Sequence, residues 1–237
     1  MDSVKITSKP VVLVAPLDWG LGHTTRCIPI IKELLNQDYP VILAGDERTK
    51  TIYNTEFPRV PFIYLKGYNI SYSAFKFLLP VKLAMQIPLI LKTIRYEHKW
   101  LKKIIAENHV KIVISDNRFG LYNKEIKSIF ITHQLAIKTS LGFKTDAFIQ
   151  KLNYSYINQF NKCWIPDTQS TPSLAGELSH PFNEPSIPVH YLGALSRFKK
   201  EGITNEKKHL LFLLSGPEPQ RSQLEKMLLY QSQNYNG

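Results

Sequence analysis

The stretch "VVLVAPLDWGLGHTTRCIPIIKELLNQ", residues 11–37, decides how the rest of the chain is read. It opens on an apolar, β-branched run, Val11 to Leu17, which reads as a strand buried on both faces. Its last part sets Ile28, Ile31, Leu34 and Leu35 at helical spacing, the apolar face of a helix. Pro29 is expected close enough to the helix start to be tolerated. Between strand and helix stand Gly20, Gly22 and His23. Strand, glycine turn and helix together open a βαβ unit.

The pattern then repeats. Further strands are expected at 41–46, 62–67, 111–116, 128–134, 162–167, 189–195 and 209–216. A long basic helical region covers about 73–107, and 147–160 also reads as helix. This alternation predicts an α/β fold, a doubly wound, Rossmann-like and mostly parallel sheet. The Ser- and Pro-rich segment 169–188 reads as irregular. Residues 197–208 are polar and charged and read as a linker. It would separate an N-terminal domain, 1–196, from the first strand and helix of a second Rossmann-like domain, 209–237.

Composition narrows the function classes. With 43% hydrophobic and 21% charged residues, the chain is an ordinary globular protein. A net charge of +11 favours anionic partners: nucleic acid, an acidic membrane surface or phosphorylated substrates. No zinc pattern and no RNP-like aromatic signature points to nucleic acid. Cys27 and Cys163 lie far apart without metal-ligand spacing, which fits a reducing, cytoplasmic compartment. "MDSVKITSKP" does not read as a signal peptide. The run 77–94 is interrupted by Pro80, Lys82, Gln86 and Pro88 and does not read as a membrane span.

Three readings of the first loop stay open on these grounds. It can be a plain strand-to-helix turn. It can be a dinucleotide cradle built on Gly20 and Gly22, with Asp46 and Glu47 ending the second strand, although Thr25 stands where the third glycine belongs. Or His23 can be a general base at a helix start, since imidazole titrates near neutrality.

"GLGHTTRCIPIIKELLNQDYPVILAGD", residues 20–46, resembles the first βαβ unit of GT-B glycosyltransferases. The similarity is to the MurG-like branch and, more loosely, to UDP-sugar transferases carrying Gly-His-x-x-Pro. Pro29 lies three residues later than that looser pattern places it. "LGALSRF" (192–198) resembles the segment leading into the interdomain linker. "LLSGPEPQRSQLE" (213–225) resembles the opening of the C-terminal, nucleotide-sugar-binding domain.

The resemblance implies transfer of a hexosyl or N-acetylhexosaminyl group from a nucleotide-sugar to a hydroxyl acceptor, with inversion. It implies catalysis by His23, oriented by Asp116 at the end of a neighbouring strand. Gly20, Gly22 and Thr24 would form the acceptor side with His133 and Gln134, although Gln134 stands where MurG has a glutamate. Ser215, Gly216 and Arg221 would hold the donor diphosphate. No Asp-x-Asp metal motif occurs, so a metal-independent route without a resident cofactor is expected. The aromatics Tyr72, Phe75 and Phe77, followed by lysines, suit docking on an anionic membrane near a lipid-linked acceptor.

A complete GT-B enzyme has several more strands after this point, so the chain is expected to be truncated and inactive alone. Two alternatives remain: a non-catalytic acceptor-binding or membrane-docking half, partnered by a separate C-terminal chain, and a NAD-binding Rossmann protein.

Overall fold

The computed structural model describes residues 9–68, 79–138, 142–198, 211–216 and 218–233. The chain divides into two units: Met1–Asn69 with Pro88–Arg197, and Ile70–Ile87 with Phe198–Gly237.

The first unit contains one sheet. Its strands are β1 (Val11–Pro16), β2 (Val41–Gly45), β3 (Phe62–Tyr64), β4 (Val110–Asp116), β5 (Lys127–Ile131), β6 (Lys162–Ile165) and β7 (Val189–Tyr191). They lie in the order β3-β2-β1-β4-β5-β6-β7, every pair parallel. The chain builds outward from β1 to β3, then returns to lay β4 on the other side of β1. The fold is therefore α/β and doubly wound, with its topological switch point between β1 and β4, where such sheets bind ligands beyond the strand ends.

Both faces of the sheet are covered. Val12 and Val14 join Cys27, Ile28 and Ile31 of helix α1 (Leu21–Asn36) and Tyr53 of helix α2 (Glu47–Glu56) in one core. Leu13 and Ala15 join Leu101 and Ile104 of helix α3 (Leu79–Asn108) in another. Residues 12–15 are wholly buried, which is why β1 is an unbroken apolar run. Helix α4 (Phe143–Ile157) packs Ile157 with Phe130, Cys163 and Ile165.

Several expectations shift. Helix α1 begins at Leu21, so Pro29 lies well inside it, where proline removes the bond to the carbonyl of Thr25. Helix α2 was not singled out in the sequence; Asp46 caps it, accepting from the Thr49 backbone N–H at 2.9 Å. Oδ1 of that carboxylate is thus engaged at the helix start. The irregular reading of 169–188 holds apart from a 3₁₀ turn at Gly176–Leu178.

In the second unit, residues 211–216 form no strand, and Leu211 and Leu213 are exposed. A strand needs a neighbour to take its backbone hydrogen bonds, and none is described there. Helix α5 (Gln220–Ser232) has no buried residue. Tyr72, Phe75 and Phe77 and most of the expected linker lie outside the described residues.

Candidate active site

After β1 the chain turns at Gly20, whose φ of 81° lies in the region that glycine adopts without strain. Helix α1 follows at once, with no side-chain cap and no acid in its first turn. His23 is its third residue. Asp116 closes β4, in register with Pro16 at the end of β1. Two neighbouring parallel strands therefore deliver His23 and Asp116 to one sheet edge. His23 Nδ1 lies 3.1 Å from Asp116 Oδ1. The ring is largely covered and the carboxylate is fully buried. Asn117 follows with a φ of 54°, a left-handed turn that asparagine tolerates.

A residue not singled out in the sequence completes the cluster. Arg26, one helical turn after His23, sends Nε–H to Asp116 Oδ2 at 2.6 Å and Nη2–H to Oδ1. Its Nη2 is also 2.7 Å from His23 Nδ1, and its Nη1 is 2.7 Å from His133 Nδ1. Helical i, i+3 spacing was the only signal for it.

The electrostatics follow from this packing. Burial works to raise the Asp116 carboxyl, but bonds from His23 and Arg26 outweigh it and hold the group below its ordinary value. Burial likewise works against the Arg26 cation, and Asp116 more than offsets it. His133 is lowered by burial first, then by the adjacent Arg26 charge. Cys27, with Sγ 3.7 Å from Asp116 Oδ2, is pushed well up by burial and by that carboxylate.

His23, His133 and Gln134 line a cavity of about 240 Å³ together with Trp19, Tyr68 and Phe119. Trp19 and Tyr68 meet edge to face, ring centres 6.5 Å apart. Tyr68 is held from behind, its hydroxyl donating to buried Glu97 at 2.8 Å. Glu97 pairs with buried Arg118 at 2.9 Å, and Arg118 Nε donates to the Pro16 carbonyl at 2.7 Å, bracing the end of β1. A larger cavity, about 780 Å³, lies against Gln150, Tyr154 and Phe182; none of the expected site residues lines it.

Of the remaining expected residues, Gly20 and Gly22 sit exposed at the turn, with open space where a side chain would be. Thr24 is buried and faces α2, its Oγ1 3.3 Å from Thr49 Oγ1, and does not line the cavity. Ser215, Gly216 and Arg221 belong to the second unit. There Ser215 and Gly216 are exposed, and Arg221 pairs with Glu218. Among the described residues, no three His, Cys, Asp or Glu side chains gather to hold a metal ion.

Asp167, also not singled out, organises the loop after β6. It accepts from the backbone N–H groups of Thr168, Leu174 and Ala175 and from the Ser179 hydroxyl, all within 3.0 Å. Burial opposes the charge, but these four bonds hold its carboxyl far below the usual range.

No protein-family model matches the chain, and no curated protein matches its sequence. Solved structures do. UGT2 of Phytolacca americana, complexed with UDP-2fluoro-glucose and pterostilbene, is 13% identical with a TM-score of 0.50, covering 78% of this chain and 54% of that one. UGT89C1 of Arabidopsis thaliana, complexed with quercetin, is 14% identical at 0.51, covering 83% and 53%. UGT71G1 of Medicago truncatula, complexed with UDP-glucose, is 14% identical at 0.50, covering 80% and 52%. The chain thus spans about half the length of these structures. The likeness shows the fold: a parallel, Rossmann-like α/β domain of the kind that GT-B glycosyltransferases contain.

Proposed function

We propose that the chain carries the acceptor side of a nucleotide-sugar-dependent glycosyltransferase, with His23 as the general base and Asp116 as its orienter. The observation behind this reading is the 3.1 Å contact between the two at the switch point, beside a cavity lined by His133, Gln134 and aromatic rings. In the proposed step His23 Nε2 takes the acceptor hydroxyl proton while the oxygen attacks the anomeric carbon. The bond to the diphosphate breaks, its electron pair leaves with the nucleoside diphosphate, and the configuration inverts. Asp116 stabilises the imidazolium that forms.

The fold neighbours support a nucleotide-sugar donor; UGT71G1 is complexed with UDP-glucose. The MurG-like first loop supports a lipid-linked or other hydroxyl acceptor. Ser215, Gly216 and Arg221 are the proposed donor-phosphate contacts, and no cofactor beyond the co-substrate is invoked. The proposed location is cytoplasmic, peripheral to an anionic membrane, since α3 exposes Lys92, Arg95, Lys99, Lys102 and Lys103. No helix among the described residues is long and apolar enough to cross a membrane.

The test is release of nucleoside diphosphate from a panel of UDP-sugars with hydroxyl acceptors. It is run on the chain alone and with a GT-B donor-binding domain supplied in trans. Acceptor-dependent release that His23→Ala abolishes is expected. Turnover of His23→Ala within a few-fold of wild type would overturn the assignment.

A further inference from the structure

A guanidinium has five N–H donors in one rigid plane and stays protonated at every ordinary pH. In Arg26, Nε–H and one Nη2–H are spent on the two oxygens of Asp116. One Nη1–H is left for His133 Nδ1 at 2.7 Å, while His23 Nδ1 is shared, 2.7 Å from Arg26 Nη2 and 3.1 Å from Asp116 Oδ1. Arg26 can only donate, so His133 Nδ1 must offer its lone pair. A neutral imidazole that accepts at Nδ1 carries its proton on Nε2.

We infer that Arg26 is a positioning residue that sets the tautomer of His133, tying its Nδ1 to the guanidinium and leaving the ring proton on Nε2. The inference deepens the acceptor-side reading above and rests on it for its catalytic consequence. His133 lines the cavity beside His23, so Nε2–H there is a donor for an oxygen of the acceptor, while His23 Nδ1 stays within reach of Asp116 Oδ1.

The groups that act on the cluster come from every side. Helix α1 supplies His23, Arg26 and Cys27, and β4 supplies Asp116. His133 arrives after β5, Tyr53 of α2 acts through Cys27, and the Asp167 charge is felt at His133. The lowered titration of His133 agrees with a cation held against its Nδ1.

The test is multiple-bond ¹⁵N–¹H NMR of the ring nitrogens in the full chain near pH 7.5. It needs no substrate, so its failure is distinct from failure of sugar transfer. His133 is expected as the Nε2–H tautomer; a proton on its Nδ1 in the wild type overturns the inference. Arg26→Lys keeps a cation for Asp116 but has one nitrogen in place of three. In this variant His133 is expected to lose its single tautomer, and its midpoint to rise. An unchanged tautomer and midpoint also overturn it. If the variant does not fold, the wild-type spectrum alone decides.

Discussion

His23 Nδ1 and Asp116 Oδ1 stand 3.1 Å apart across 93 residues of chain. The contact exists because β1 and β4 are neighbours in the sheet though distant in sequence. The two residues are not equivalent in the fold. Asp116 is fully buried and neutralised by Arg26, whereas the His23 ring reaches the cavity. Removing each should therefore have a different cost. Asp116→Ala leaves the largely covered Arg26 cation without its counter-charge, which costs about 3–5 kcal/mol. His23→Ala loses the contacts of one partly exposed ring nitrogen to Asp116 and Arg26, about 1 kcal/mol. Under the proposed chemistry both lower turnover by on the order of 100-fold or more. Urea unfolding beside a nucleotide-release assay separates them: His23→Ala should stay folded and inactive, and equal destabilisation by the two would contradict the picture.

The same cluster fixes how stability responds to acid. Asp116 and Asp167 titrate below an unfolded aspartate, whose value is about 3.9. Their contribution is full above about pH 4 and is lost as pH falls through the lower, folded values. His133 is lowered too, so its contribution is present above about pH 6.5 and fades as pH falls through its folded value. Glu97 is raised by burial and acts with the opposite sign. Thermal midpoints should therefore decline gently on acidification from about pH 6.5 and steeply below about pH 4. His133→Gln should flatten the gentle limb only. A midpoint that rises on acidification across pH 6 would contradict the assignment.

The inner strands were legible because a strand covered on both faces must be apolar on both, and Val12 to Ala15 wrote that requirement as an unbroken run. Strand ends were less legible: the expected strand at 62–67 pairs only over Phe62–Tyr64. Helix α2 left little trace, since only Thr49 and Tyr53 of it are buried; its signal was the Asp46 cap. The apolar run 209–216 looked like a strand, yet pairing depends on a neighbour that no local pattern encodes. At the site, His23 was one of three readings of the glycine turn, and Asp116 and His133 entered only through the family resemblance. Arg26 was not legible, because its contacts depend on Asp116 of β4 and His133 after β5 converging on its own helix.

Asp167 fastens the loop after β6 through four accepted hydrogen bonds, and one of its donors, Ser179, is itself buried. Replacing it with alanine strands those donors, a cost of roughly 1–3 kcal/mol for each that water cannot reach. Limited proteolysis should then cut within residues 168–180 faster than in the wild type. Asp167→Asn keeps the shape but loses the charge and exchanges one acceptor for donors, so an intermediate cutting rate is expected. Identical digestion patterns for all three proteins would show that the loop is held by something else.

Helix α3 divides its residues by face. Ile94, Glu97, Leu101 and Ile104 are buried, while Lys92, Arg95, Lys99, Lys102 and Lys103 are exposed, with Leu89 and Tyr96 beside them. A cationic face with apolar and aromatic residues at one end is suited to the interface of an anionic bilayer. Each basic residue near such a surface contributes about 1 kcal/mol, so five can hold the protein there at low salt and release it as screening grows. Flotation with phosphatidylserine vesicles should recover the protein at low ionic strength and lose it near 0.5 M salt, roughly. Charge removal at Lys92, Lys99 and Lys102 should weaken binding about fivefold for each lysine and leave the fold intact, since these side chains point to water. No flotation at low salt, or flotation that the substitutions leave unchanged, would remove the membrane from the proposed function.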